Sequence, residues 1–252
     1  MANVTLAAVA AVHLLTAVAF FAVGRRFQAR KVESGMGLAR DAFVAWWWAF
    51  GAYLAGQGAL DLAAASGQTS FGAFVAFRLA SGPLLAFAAA GLAYHILFLW
   101  SGKRWWALPL AFYYGAAGAV YSCWVWFHEP LGVAVGPWGA DVAYAQPIAG
   151  PVWMAVLASI GLPLVLGSAA FLALAAKVHD RAKRYRIVLV GSSLLLWVVS
   201  GYSAQVGGGA ILQFVAIVVL GLATALAVTA AYYPPRPVRR WLEHAAAPPA
   251  AA

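Results

Sequence analysis

The chain has 252 residues, 65% of them hydrophobic and 9% charged, with a formal net charge of +9. Soluble domains carry roughly 45–50% apolar and about 25% charged residues, so this composition excludes a water-covered globule and predicts an integral membrane protein. At about 20 residues per spanning helix, the length allows at most about eight spans in one polytopic domain and no separate soluble catalytic domain.

Seven apolar runs, almost free of charge, follow one another: Val4–Gly24, Ala42–Ala63, Phe77–Trp100, Trp105–Phe127, Pro151–Ala176, Tyr185–Gln205 and Gly208–Tyr233. Each is far longer than the strand of about ten alternating residues that a barrel uses, so helices are predicted. The expectation is an all-α membrane protein, a seven-transmembrane helix bundle over residues 1–233 with a short basic, Pro/Ala-rich cytoplasmic tail at 234–252. No Lys or Arg precedes the first run and a basic cluster follows it, which reads as a retained anchor rather than a cleaved signal peptide. The end of the tail, "AAAPPAAA", reads as disordered.

Fifteen of the 16 Lys and Arg residues fall in every second connection, and only Arg78 breaks the alternation. The positive-inside rule then sets the N-terminus outside and the C-terminus in the cytoplasm of a multi-pass plasma-membrane protein. A basic inner rim beside anionic lipid accounts for the net charge, so no nucleic acid is implied. Trp46, Trp47, Trp48, Trp105 and Trp106 are expected at the inner interface, and Trp124, Trp126, Trp138 and Trp153 at the outer one. Between the fourth and fifth runs, "LGVAVGPWGADVAYA" alternates Val133 and Val135, then Val142 and Tyr144, around a turn-like "GPWG". A short extracellular β-hairpin over the outer mouth of the bundle is predicted.

Polar groups inside hydrocarbon are costly and mark sites or pairs. Gln57 and Asp61 lie one turn apart in the second run, as do Arg78 and Ser81 in the third, while Tyr114, Tyr121 and His128 recur every seventh residue along the fourth. Tyr202, Ser203 and Gln205 close the sixth run and Gln213 opens the seventh. All fall toward the outer side and predict a cavity roofed by the hairpin, lined by Gln57, Asp61, Arg78, Ser81, Tyr121, His128, Tyr202, Gln205 and Gln213. The alternative is a structural Asp61/Arg78 pair within ordinary packing. With Asp61, Glu129 and Asp141 against Arg78, the outer balance is −2 and favours a neutral or cationic ligand. His13 and His95 invite a bis-histidine haem, although their depths differ. Pro83, Pro109 and Pro163 fall within runs and can kink them.

Several chemistries are excluded. All four lysines lie in connections, which removes a retinal Schiff base. Two buried histidines are too few for a membrane zinc hydrolase, and the lone Cys123 forms neither an internal disulfide nor a Cys-based metal site. "VGGGA" at 206–210 is a tight turn without the Lys and Ser/Thr of a phosphate loop. Catalysis is not expected.

"GVAVGPWG", "RYRIVLVGSSLLLWVVSGY" and "YYPPRPVRRW" resemble segments of uncharacterised bacterial seven-helix membrane proteins, which in turn resemble the sensory modules that precede histidine kinases. In outline the chain is also similar to G-protein-coupled receptors, without their motifs: the third run ends "FLWSGKRWW" and the seventh "AYYPPRP". The resemblance covers the last half of the chain and carries over no ligand residue. It implies a sensor-like membrane module. Together with the outer polar groups this makes the leading expectation a sensor or receptor-like protein that binds a small neutral or cationic ligand from the outer side and signals through a separate partner. The basic segment "KVHDRAKRYR" at 177–186 reads as a docking surface or, alternatively, as a binder of anionic lipid. The alternatives are a small-solute transporter or permease and, third, a haem- or quinone-binding membrane subunit.

Overall fold

The computed structural model describes residues 3–29, 36–145, 150–156, 161–205 and 210–244. The elements are α1 (Val4–Gln28), α2 (Gly37–Ala65), α3 (Phe71–Ser101), α4 (Arg104–Phe127), strands β1 (Pro130–Gly136) and β2 (Gly139–Tyr144), α5 (Gly150–Val156), α6 (Leu162–Lys177), α7 (Arg181–Gln205), α8 (Ala210–Phe214), a π-helical turn at Val215–Val219, α9 (Leu220–Tyr232) and α10 (Arg236–His244). Among the described residues the fold is all-α apart from one hairpin. Among the same described residues, three stretches are long and apolar enough to cross a membrane: Val4–Gln28, Phe71–Leu99 and Val215–Tyr232.

Local chemistry sets the helix ends. Asn3 caps α1, its Oδ1 accepting from the Leu6 amide at 3.1 Å, and the Ser70 hydroxyl does the same for Ala73 at the start of α3. Gly102 ends α3 at φ 65°, a left-handed turn that a side chain would strain. Pro163 occupies the first turn of α6, where its missing N–H costs nothing, whereas Pro83 and Pro109 lie inside α3 and α4. The expected tail contains α10, with Leu242 buried and Trp241 54% exposed, and residues 245–252 lie outside the described set.

Helix packing closes a ring, α1 on α2, α2 on α3, α3 on α6, α6 on α7, α7 on α9 and α9 back on α1, with α4 outside α3 and α5 against α4. A Cβ at Gly91 would sit 2.6 Å from the Ala42 carbonyl oxygen, so α2 and α3 touch backbone to backbone there. The hairpin is antiparallel, with Val135 opposite Ala140 and Gly136 opposite Gly139, and its ladder is irregular between Pro130 and Gly132. Ala140 and Val142 turn into the bundle against Leu6, Ala64, Ala65 and Phe74, while Trp138 at the tip packs with Val9, Val12 and Val218.

One expectation is corrected here. Trp46 and Trp47 are 2% and 0% exposed and belong to the core with Phe20, Phe43 and Phe50. Three consecutive helical residues fan over about 200°, so the run at 46–48 cannot share one lipid face. Trp48 does face outward, as do Trp105, Trp106 and Trp126.

Candidate functional site

The hairpin end of the bundle gathers most of the polar residues singled out above. Asp61 is wholly enclosed. Its Oδ1 accepts from the Ala140 amide at 2.9 Å and from Gln57 Nε2 at 3.1 Å, and its Oδ2 lies 3.1 Å from His13 Nδ1. Gln57 Nε2 also donates to the Ala140 carbonyl at 3.0 Å. One strand residue is thereby held through both backbone groups by α2, and α2 is held to α1 through His13. Helical side chains tilt toward the N-terminus of their own helix. Antiparallel α1 and α2 therefore aim His13 up and Asp61 down, and the two meet although they enter at different depths.

The next strand residue anchors the other half of the site. Asp141 Oδ2 lies 3.3 Å from Arg78 Nη1, joining β2 to α3. The Arg78 guanidinium is 5.6 Å from the centre of the Tyr121 ring and bonds the Tyr144 side chain, while its Nε is buried without a hydrogen-bond partner. Burial raises the Tyr144 hydroxyl pKa, and the neighbouring Arg78 charge pulls against that shift. Tyr53 lies within electrostatic reach of Arg78, Asp141 and Asp61, so the two halves share a wall. The sequence alternative of an Asp61/Arg78 pair is thus replaced by two separate pairings, one on each of two consecutive hairpin residues.

The remaining candidates are distributed around this junction. Ser81 is buried and donates to the Arg78 carbonyl at 2.9 Å. Tyr121 is buried against Trp124, Val125 and Leu79. His128 Nδ1 donates to the Trp124 carbonyl at 2.8 Å and its ring stacks on Trp124 at 4.1 Å, which closes the end of α4. The side chains of Tyr202, Gln205 and Gln213 lie outside the described residues. Sequence reasoning missed Ala140 because a backbone amide has no signature in the sequence, and it read Tyr144 only as part of the hairpin alternation. His13 was visible only as a haem candidate.

The haem pairing does not fit. His95 donates from Nδ1 to the Ala39 carbonyl at 2.8 Å and stacks on Phe43 at 4.1 Å, whereas His13 is fixed to Asp61. Ala39 and Asp61 are 22 residues apart on one helix, about 33 Å at 1.5 Å per residue, so the two histidines sit toward opposite ends of α2. They cannot ligate one iron.

What the arrangement can do is couple a hairpin to helices. A ligand that reaches the Asp61 carboxylate must displace Ala140, Gln57 or His13, so its binding and a hairpin movement would be one event. A cavity of about 280 Å³ lies toward the opposite end, between α3 and α6. Neither a family model nor a curated protein sequence matches this chain.

Proposed function

We propose that the chain is a sensor or receptor-like protein whose seven helical segments span the plasma membrane, with the hairpin outside and the basic connections in the cytoplasm. A small neutral or cationic ligand would engage the hairpin junction from outside, competing for Asp61 and the groups around Arg78. The response would pass along α1, α2 and α3 to a separate partner docked on residues 177–186. Binding rather than catalysis is the activity proposed. The single observation that carries this reading is the junction itself: consecutive residues of an exposed hairpin, Ala140 and Asp141, are tied to buried polar side chains on α2 and α3. Polar groups at that depth are expensive, and this set links a ligand-accessible element to helices rather than merely satisfying one another within a helix.

The test is thermal stabilisation of the purified protein by a panel of small amines and neutral solutes. An active compound should lose its effect in both Asp61→Asn and Arg78→Gln, and an undiminished response in both variants would sink the reading. A second reading, a transporter, is favoured by the π-helical turn at Val215–Val219, since such irregular turns often sit at functional sites. Flux of the same compound in proteoliposomes would decide for the transporter.

A further inference from the structure

The cavity between α3 and α6 is unrelated to the hairpin junction. α6 touches α3 closely at Gly167, where a Cβ would lie 2.6 Å from Ile96 Cδ1, and the cavity opens next to that contact. The opening is walled by Ile96, Leu99, Phe171, Ala173 and Leu174, with Lys177 as its basic group. Leu99 and Leu174 are each 39% exposed, so it opens on the flank of the bundle. An apolar void does not hold water. From Ala170 to Lys177 it runs seven residues along α6, about 10 Å, which fits within one leaflet of a hydrocarbon core about 30 Å thick.

The charge at its mouth selects the occupant. Lys177 makes no ion pair among the described residues. Arg181, Lys183 and Arg184 follow within seven residues, at the start of α7, and the nearby acid, Asp180, already accepts from the Ala182 and Lys183 amides at 2.9 and 3.0 Å. Basic pockets between helices on the cytoplasmic side recognise anionic headgroups. The geometry points to a bound anionic phospholipid, one acyl chain lying in the α3/α6 groove and its phosphate on Lys177. This inference rests on the membrane-spanning reading above.

Native mass spectrometry of the full chain, released from nanodiscs of equal phosphatidylglycerol and phosphatidylcholine, tests it. One retained phosphatidylglycerol per chain is expected. One cation near the surface is worth about a fivefold preference over phosphatidylcholine, and Lys177→Gln should remove it. Ala173→Trp should fill the groove and abolish retention, whereas Ala116→Trp on the outer face of α4 should retain the lipid as the wild type does. Equal retention of the two lipids by the wild type, or unchanged retention in Ala173→Trp, would overturn the site while leaving the membrane reading intact. Recovery of the chain in a carbonate wash of membranes would instead overturn the membrane reading and the lipid site with it.

Discussion

At the hairpin end, α1 and α2 meet through His13 and Asp61, 3.1 Å apart. Toward the other end the same two helices meet through Phe20, Phe43, Trp46 and Trp47, whose ring centroids lie between 4.3 and 5.8 Å apart. On the membrane-spanning reading proposed above, the helices would gain nothing from withdrawing apolar surface from water, and the aromatic end would be held by close packing. The polar end is held by direction: each donor must find its acceptor or remain unpaired in a medium that offers no substitute. Packing fixes how near the helices lie. The hydrogen bonds fix which strand residue they hold.

Breaking each end separately tests this contrast. Trp47→Ala should have the largest effect, about 3–5 kcal/mol of unfolding free energy, because it opens a hole among three rings. Since the Trp47 indole N–H has no partner, Trp47→Phe should recover most of that loss. Hydrogen exchange of the hairpin amides should be unchanged in both. Asp61→Ala should cost about 2 kcal/mol, leaving Gln57, His13 and the Ala140 amide without their acceptor. It should speed exchange at Ala140 and Val142 while the tryptophan environment, read by near-UV circular dichroism, stays as it was. Combining the two substitutions should give the sum within about 0.5 kcal/mol, since distant sites add. A larger discrepancy would show that the two ends are already coupled without a ligand.

Gly91→Ala sharpens the comparison by a smaller step, about 1–2 kcal/mol, through overpacking rather than a hole. The added methyl would meet the Ala42 carbonyl oxygen, a backbone atom that cannot rotate away. Thermal unfolding in micelles would measure it, and an unchanged midpoint would mean that α2 and α3 slide apart freely.

Much of this was legible in the chain. The apolar runs fall on helices, although Pro151–Ala176 covers both α5 and α6 and Gly208–Tyr233 covers α8, the π-helical turn and α9, and "GPWG" with its alternating flanks marks the hairpin. The hydropathy edges fell short of the true ends: α2 begins at Gly37 and α3 at Phe71, not at Ala42 and Phe77. Hydropathy locates where oil is tolerated, whereas backbone bonding carries helices past it through Arg40 and Asp41 on one side and the Ser70 cap on the other. At the site, depth counting found Asp61, Gln57, Arg78 and Tyr121 but not the hairpin groups that they hold. Asp61 accepts from a backbone amide on a strand 79 residues away, and Arg78 pairs with an exposed strand residue that looked like solvent-facing charge. Trp47 was misplaced because an aromatic at an interface and one in a core have the same composition.

Asp180 offers the mildest test, because it accepts two amides as Asp61 accepts one, but in solvent. The Lys183 and Ala182 N–H groups at the start of α7 hold its carboxyl below its ordinary value of 3.8. A depressed carboxylate contributes its stabilisation fully above the unfolded value and loses it as pH falls through the folded one. Capping of α7 by Asp180 should therefore be constant from about pH 7 to about pH 5 and fade below about pH 4. Amide exchange at Ala182 and Lys183, corrected for intrinsic rates, should be faster in Asp180→Ala than in the wild type at neutral pH, and the two should converge in acid. A difference that survives full protonation would mean that the loop conformation, not the carboxylate, protects this turn. The α7 start would then resemble the aromatic end, held by packing, more than the hairpin junction.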